Sequence, residues 1–215
     1  GAQVATHLIR EQESIAPELT DATIYFVDIR KFTNLTESLP PEALMRVLNR
    51  FLSEMSVCVE QNNGLINKFI GDSIMAVFGT ALNQSENAAA EAVATAECML
   101  ATLEIINSIH ERENLPPLKI GIGIASGKIL AGTLGEGERV EYTFIGDAVN
   151  LASRLESMTK ELDFPVLLDS VTADLLPADK VRQVGEVAVR GKDQPVTVYT
   201  AAFLVKDTAP PIFDA

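Results

Sequence analysis

Two aspartates stand where the chain could perform metal-assisted chemistry. Asp28 ends an apolar, β-rich run that begins at Ala22, and Asp72 follows a glycine between two short apolar runs. Two carboxylates held near each other repel unless a cation lies between them, and oxygen ligands suit Mg²⁺ or Mn²⁺. Two such ions about 3.5–4 Å apart form the usual clamp of phosphoryl transfer. A structural interpretation is also open, because Asp is common in turns and often caps the helix that follows a strand.

The elements around these aspartates are predicted to follow the order β-α-β-β-α-β. Apolar periodicity and turn residues predict a strand at 22–28, a helix from about 41 to 62, strands at 65–70 and 73–78, a helix over roughly 84–113, and a strand at 118–125. That order is typical of a ferredoxin-like fold of the α/β (α+β) class, with helices on one face of an antiparallel sheet. The first strand of such a sheet lies beside the central hairpin, so Asp28 and Asp72 are expected to be close.

A C-terminal extension follows this βαββαβ core. It is predicted to contain strands at 128–133 and 139–145 with a loop at 136–138 between them, a helix over Asp147–Thr159, and then short strands with one small helix. The predicted division of the chain is a lead-in or linker at 1–20, one folded domain at 21–205 and a tail at 206–215.

Composition limits the class of ligand. The 215 residues carry 30 acidic and 17 basic side chains, a net charge of −13, which disfavours nucleic-acid binding. Cys58 and Cys98 each fall in an apolar helical pattern and are predicted to be two buried free thiols of a reducing compartment. No uninterrupted apolar run reaches about 18 residues and no signal peptide is evident, so a cytoplasmic location is expected, alone or within a larger or membrane-anchored protein.

Three segments resemble the motifs of class III nucleotide cyclases, in the order of that family. Residues 26–33 (FVDIRKFT) are similar to its first metal-binding segment, and residues 67–76 (NKFIGDSIMA) to its second. Residues 142–154 (YTFIGDAVNLASR) are similar to the segment that binds the base and the transition state. The resemblance extends from about residue 20 to 203.

The resemblance implies a metal site and a phosphate-binding loop. Asp28 and Asp72 would hold two Mg²⁺ or Mn²⁺ ions, with the backbone carbonyl of Ile29 as a further ligand. Phe32 and Thr33 would lie in the segment next to the triphosphate. Lys31 stands where the family often has Gly, which departs from its usual loop sequence.

The resemblance also implies the residues that recognise and transform ATP. Asn150 would orient the ribose, and Arg154, four residues later on the same helix face, would stabilise charge on the phosphorus. Lys68 and Thr143 correspond to the base-selecting pair, since Lys donates to adenine N1 and a Thr hydroxyl accepts from the N6 amine. Arg190 matches the late phosphate-binding cation, with Lys192 as the fallback.

The family builds each site from two subunits, and this chain contains both sets of residues. The resemblance therefore implies an ATP-using homodimer with two equivalent sites, and an upstream sensor or membrane module in a longer protein. Thr143 resembles the subset that includes bicarbonate-responsive, soluble-type cyclases, which makes bicarbonate a candidate regulator. Two alternatives stay open: a guanylyl or dual-specificity purine cyclase, and a cyclase-fold domain that binds nucleotide for regulation without turnover.

Overall fold

The computed structural model describes residues 17–134, 141–189 and 194–205. These described residues form eight strands and five α-helices. The strands are β1 (Glu18–Ile29), β2 (Leu65–Ile70), β3 (Ser73–Phe78), β4 (Ile120–Leu134), β5 (Glu141–Ile145), β6 (Val166–Asp169), β7 (Val181–Val187) and β8 (Val196–Ala201). The helices are α1 (Phe32–Ser38), α2 (Pro41–Gln61), α3 (Ala88–Arg112), α4 (Asp147–Leu162) and α5 (Ser170–Asp174).

The strands form one sheet in the order β2-β3-β1-β4-β6-β8-β7, and β5 pairs with β4 outside that path. Neighbouring strands are antiparallel except for the parallel pair β4 and β6. β1 lies between β3 and β4, with Val27 opposite Ile74 on one side and Asp28 opposite Gly121 on the other. The ferredoxin-like core predicted from the sequence is therefore confirmed.

Helices cover both faces of the sheet. Because side chains alternate along a strand, Tyr25 and Val27 of β1 point into a cluster with α2 and α3, whereas Ile24 points into a second cluster with α4. The two helices of the ferredoxin-like core share one face, as predicted. The extension covers the other face, and Asp28, four residues after Ile24, lies on that α4 side of β1.

Several element boundaries differ from the prediction. β1 begins at Glu18, and the short helix α1 follows it directly. β4 is continuous where two strands were expected, because its ladder with β1 runs without a break from Ile29 opposite Ile120 to Glu18 opposite Ala131. α3 begins at Ala88, four residues after the predicted start. The predicted loop at 136–138 lies outside the described residues.

One helix of the described part, α3, is long and apolar enough to cross a membrane by length and composition alone. In the fold it packs against the sheet between α2 and β1, as core helices of globular domains do. Its buried positions recur at helical spacing: Ala89, Ala92, Val93, Ala96, Met99, Leu103 and Ile106.

The two cysteines are not free thiols, which corrects the prediction from the sequence. Cys58 of α2 and Cys98 of α3 form a disulfide with their Cα atoms 5.7 Å apart. The two helices pack side by side on one face of the sheet, and this contact brings together residues 40 positions apart in the sequence. The helical pattern of each segment predicts burial of its cysteine, but pairing depends on how the helices face each other.

Candidate active site

The carboxyl groups of Asp28 and Asp72 meet at one end of the sheet. Asp28 is the penultimate residue of β1, and Asp72 lies in the turn from β2 to β3. The pairing of β1 with β3 sets the two side chains within hydrogen-bonding contact of each other. Ser73, directly after Asp72, donates from its hydroxyl to Asp28 Oδ1 at 2.7 Å. The proximity expected from strand order is therefore present.

The environment of Asp72 disfavours its ionised form. Burial, the hydrogen bond with Asp28 and the negative charge of Asp28 together raise the pKa of Asp72 to about 7. Hydrogen bonds from the backbone N–H groups of Asp72 itself and Ile29 oppose that rise. Asp72 Oδ2 is buried and has no hydrogen-bond partner among the described residues. A carboxylate oxygen in that condition is costly, so a cation would satisfy the need.

A third carboxylate and a lysine, both missed by the sequence analysis, lie beside this pair. Glu156 of α4 is only 7% exposed, and burial, followed by the charge of Asp28, raises its pKa to about 7. Lys160, one turn later, places Nζ 3.7 Å from Asp28 Oδ2 and 4.0 Å from Glu156 Oε1. The i, i+4 spacing of Glu156 and Lys160 is visible in the sequence, but alone it indicates only a pair on a helix surface.

Glycines in β4 allow α4 to approach the sheet closely enough for these contacts. A Cβ atom on Gly123 would collide with the carbonyl oxygen of Ala152 and the backbone of Glu156. A Cβ atom on Gly121 would collide with Thr159 Oγ1. The two glycines thus permit close packing of the β4 backbone against α4.

Arg30 fixes the end of β1 to the end of α4. Its guanidinium donates to the carbonyl oxygens of Thr159 at 2.8 Å and Phe164 at 2.9 Å. It also lies 3.8 Å from Asp163 Oδ1, an ion pair at an exposed carboxylate. The backbone that carries Asp28 is therefore held against the half of α4 that carries Glu156 and Lys160.

The loop after β1 accommodates Lys31 in a conformation that favours glycine. Lys31 has φ 59° and ψ 36°, in the left-handed region, and stands at the N-cap of α1. Phe32 then packs its half-buried ring against the core, and Thr33 is exposed. Ile29 is buried as the last residue of β1. The turn after β1 therefore forms although Lys31 stands where the family often has Gly.

Residues expected to act on the nucleotide lie on other elements. Asn150 and Arg154 are in the first half of α4, where Asn150 is exposed and its amide donates to the carbonyl of Gly146 at 3.4 Å. Among the described residues no hydrogen bond or ion pair joins either side chain to Asp28 or Asp72. Lys68 lies in β2 and Thr143 in β5, both half-buried.

The predicted phosphate-binding cation Arg190 and its fallback Lys192 lie outside the described residues.

The aspartate pair fits a divalent cation, although no group of three or more His, Cys, Asp or Glu side chains is placed for a metal within the described ranges. Mg²⁺ is commonly bound by one or two carboxylates, with substrate phosphates and water completing its ligands. Asp28 and Asp72 supply that number, and the buried, unpartnered Asp72 Oδ2 supplies a vacant acceptor. These two residues would hold the ion.

The ferredoxin-like core, with Asp28 and Asp72 at one end of its sheet, has the fold of class III nucleotide cyclase domains. The chain belongs to a family described as the adenylate and guanylate cyclase catalytic domain, whose model matches residues 15–202.

Relatives and solved structures include both kinds of cyclase. An adenylate cyclase of Anabaena cylindrica is 35% identical over 185 residues, covering 82% of this chain and 36% of that protein. The crystal structure of the adenylyl cyclase CyaB from P. aeruginosa matches with a TM-score of 0.81 at 35% identity, covering 87% of this chain and 96% of that one. The guanylyl cyclase Cya2 matches with a TM-score of 0.80 at 29% identity, covering 93% and 100%. The chain thus spans about a third of the Anabaena relative's length.

Proposed function

We propose that this chain is an adenylyl cyclase domain that converts ATP into 3′,5′-cyclic AMP and pyrophosphate. The observation that carries the proposal is the contact between the carboxyl groups of Asp28 and Asp72 at the end of β1. The 3′-oxygen of the ribose attacks the α-phosphorus, a new P–O bond forms, and the bond to the β-phosphate oxygen breaks. Pyrophosphate leaves and the hydroxyl proton passes to solvent, so no covalent enzyme intermediate is required.

In this reaction the chain's residues act mainly by binding cations and stabilising negative charge on the phosphates. Asp28 and Asp72 would hold two divalent ions, with the carbonyl of Ile29 as a further ligand. When bound, such ions supply Lewis acidity at the ribose hydroxyl and offset the charge of the triphosphate. Arg154 stabilises charge on the reacting phosphate because its guanidinium stays protonated and forks toward two oxygens. Asn150 orients the ribose.

Recognition of adenine is assigned to Lys68 and Thr143. The ammonium of Lys68 donates to N1, which in adenine has a free lone pair, and the hydroxyl of Thr143 accepts from the N6 amine. Guanine carries a proton on N1 and an oxygen at position 6, so it presents the opposite pattern. Phe32, Thr33 and Arg190 are assigned to the triphosphate side.

A homodimer is part of the proposal. Within the described part of one chain, no hydrogen bond or ion pair joins Asn150 or Arg154 to Asp28 or Asp72, although the chain holds both the aspartates and the residues assigned to the nucleotide. A two-fold dimer would bring the aspartates of one subunit to Asn150 and Arg154 of the other, twice. The match covers only 36% of the Anabaena relative, which supports a longer protein in which other segments would carry an upstream sensor.

A direct assay tests the proposal. The purified chain is incubated with ATP or GTP in the presence of Mg²⁺ or Mn²⁺, and the cyclic product is quantified chromatographically. Cyclic AMP is expected to exceed cyclic GMP, and Asp28→Asn or Asp72→Asn should lower kcat/KM by about a hundredfold or more. Asp21→Asn, at an exposed aspartate of the same strand, is the matched control and should keep activity. Full activity in either site variant would contradict the metal assignment.

A guanylyl or dual-specificity cyclase is the second candidate. The observation that favours it is the TM-score of 0.80 to the guanylyl cyclase Cya2. A higher kcat/KM for GTP than for ATP in the same assay would select this candidate. Lys68→Glu separates the two, because it should reduce ATP use in an adenylyl cyclase by removing the donor to N1.

A further inference from the structure

Asn67 is the extra residue of a bulge in β2, directly before Lys68. In the pairing of β2 with β3, Ile66 lies opposite Ala76 and Lys68 lies opposite Met75, so the residue between them has no partner in the ladder. A bulge bends its strand and re-aims the side chains next to it, and bulges are frequent beside active sites. The direction of the Lys68 side chain therefore depends on how the bulge at Asn67 is held.

The Asn67 side chain is held by a strand distant in the sheet. Its Nδ2 donates to the carbonyl oxygen of Tyr142 at 3.0 Å, across 75 positions of sequence. Tyr142 stands directly before Thr143 in β5. Because the Tyr142 carbonyl and the Thr143 N–H share one planar peptide group, a bond to that oxygen also fixes the backbone of Thr143. One hydrogen bond thus joins the residue before Lys68 to the residue before Thr143.

Within the described residues, no backbone pairing joins β2 directly to β5. β2 pairs with β3 and β5 pairs with β4, while β3 and β1 lie between β2 and β4 in the sheet. The Tyr142 ring packs in the same core cluster as Met75 and Leu65, which brings β5 over the hairpin. Apolar packing has little directionality, so the hydrogen bond of Asn67 supplies the defined register between the two strands.

We propose that Asn67 is a positioning residue for base selection, which sets the placement of Lys68 relative to Thr143. This inference rests on the proposed function, in which those two side chains read the purine. Asn67 does not touch the base in this proposal. It acts by keeping the Lys68 ammonium and the Thr143 hydroxyl at the separation that fits N1 and the N6 amine of adenine and mismatches guanine.

The positioning role of Asn67 can be tested separately from folding, because the carbonyl oxygen of its side-chain amide makes no hydrogen bond among the described residues. Asn67 Oδ1 is buried and has no hydrogen-bond partner among the described residues. Replacement by Leu, which has a similar shape, removes this unpaired acceptor together with the donor, so the loss of stability should be small. Asn107 provides a matched control, since its amide donates to the carbonyl of Leu118 at 3.0 Å and accepts from the Leu118 N–H at 2.7 Å, at the far end of α3.

The experiment measures kcat/KM of the full chain for ATP and for GTP with Mn²⁺, together with the thermal midpoint. For Asn67→Leu the ATP-to-GTP ratio should fall about fivefold, the effect of one neutral hydrogen bond, with a near-unchanged midpoint. For Asn107→Leu the midpoint should fall and the ratio should stay at the wild-type value. Binding of both nucleotides in the presence of Ca²⁺, measured by calorimetry, should show the same change in ratio without turnover.

The outcomes separate this inference from the function on which it rests. An ATP-preferring wild type whose ratio is unchanged in a folded Asn67→Leu variant would overturn the role of Asn67 and leave the cyclase proposal intact. Equal loss of selectivity in Asn107→Leu would reduce the effect to general destabilisation and also overturn the role. A wild-type chain that neither binds nor converts either nucleotide would overturn both.

Discussion

Lys160 Nζ lies 3.7 Å from Asp28 Oδ2 within the same chain. α4 therefore contributes at two places along its length. Its first half carries Asn150 and Arg154, which the proposed dimer presents to the other subunit, and its second half places Lys160 against the chain's own aspartate. Lys160 is thus a fixed cation beside two carboxylates of its own chain, those of Asp28 and Glu156.

Replacing this lysine should change metal binding and metal-free stability in opposite directions. Lys160→Gln removes a positive charge that repels an incoming divalent ion, and two unit charges about 4 Å apart in water interact by about 1 kcal/mol. Mn²⁺ affinity, measured by electron paramagnetic resonance, should rise roughly threefold to tenfold. The metal-free chain should lose up to about 1 kcal/mol, because the Lys160 side chain is 46% exposed and solvent weakens its ion pair with Asp28.

Lys128→Gln is the matched control for that substitution. Lys128 is an exposed lysine 3.0 Å from Asp21 Oδ2, toward the opposite end of β1. Lys128→Gln removes the same unit of charge and should leave Mn²⁺ affinity at the wild-type value. Equal affinities in wild type and Lys160→Gln would show that the lysine does not compete with the ion.

Complementation between two inactive chains tests the shared site. Asp28→Ala removes a metal ligand from one set of residues, and Arg154→Ala removes the phosphate cation from the other. Each variant alone should be inactive. Their mixture should regain up to about a quarter of wild-type activity, because half of the dimers formed at random are heterodimers with one intact site of two. Absence of rescue, with heterodimers demonstrated by differently tagged chains, would argue against a site built from two subunits.

Strand order was sufficient to predict that Asp28 and Asp72 meet. The residues that surround them were not predictable in the same way. Lys160 reaches Asp28 only because Gly121 and Gly123 let α4 approach β4, and that approach is a property of tertiary packing. The sequence pattern shows an amphipathic helix, but it does not show how deeply the helix is seated.

Two further features escaped prediction for related reasons. The bulge at Asn67 is not visible in the pattern of apolar and polar residues in β2, since an Asn-Lys pair is ordinary in a short strand. The Cys58–Cys98 disulfide depends on which sides of α2 and α3 face each other. Local periodicity places residues on a helix or a strand, whereas pairs between elements are decided by packing.

The disulfide between α2 and α3 should contribute substantially to stability. It closes a loop of 40 residues, and cross-links of that size typically stabilise by about 2–4 kcal/mol, mainly by restricting the unfolded chain. Urea denaturation of the wild type should shift to lower concentrations on addition of reductant. Cys98→Ser should match the reduced wild type and show no response to reductant. Two reactive thiols in the denatured, unreduced wild type would contradict the bond.

Asp169 is a buried carboxylate away from the aspartate pair, and its environment predicts a pH effect. It is 3% exposed, caps α5 and accepts from the backbone N–H of Thr172 at 2.9 Å and of Ser126 at 3.3 Å. Burial raises the pKa of Asp169 despite these hydrogen bonds. The folded state therefore holds the proton more tightly than the unfolded state does, and ionisation of this group costs stability.

Asparagine at position 169 should remove that cost, because its Oδ1 accepts from the same donors without a charge. Below the unfolded pKa of about 3.9 the wild type has no penalty from this group, and the penalty grows as pH rises toward the raised pKa of the folded state. The free energy of unfolding of Asp169→Asn, relative to wild type, should therefore increase in urea titrations as pH rises above about 4, and level off above the raised pKa of the folded state. Asp174→Asn, at the exposed carboxylate that ends α5, is the control and should show a smaller change. A difference between Asp169→Asn and wild type that stays constant across this range would contradict the assignment of the shift to Asp169.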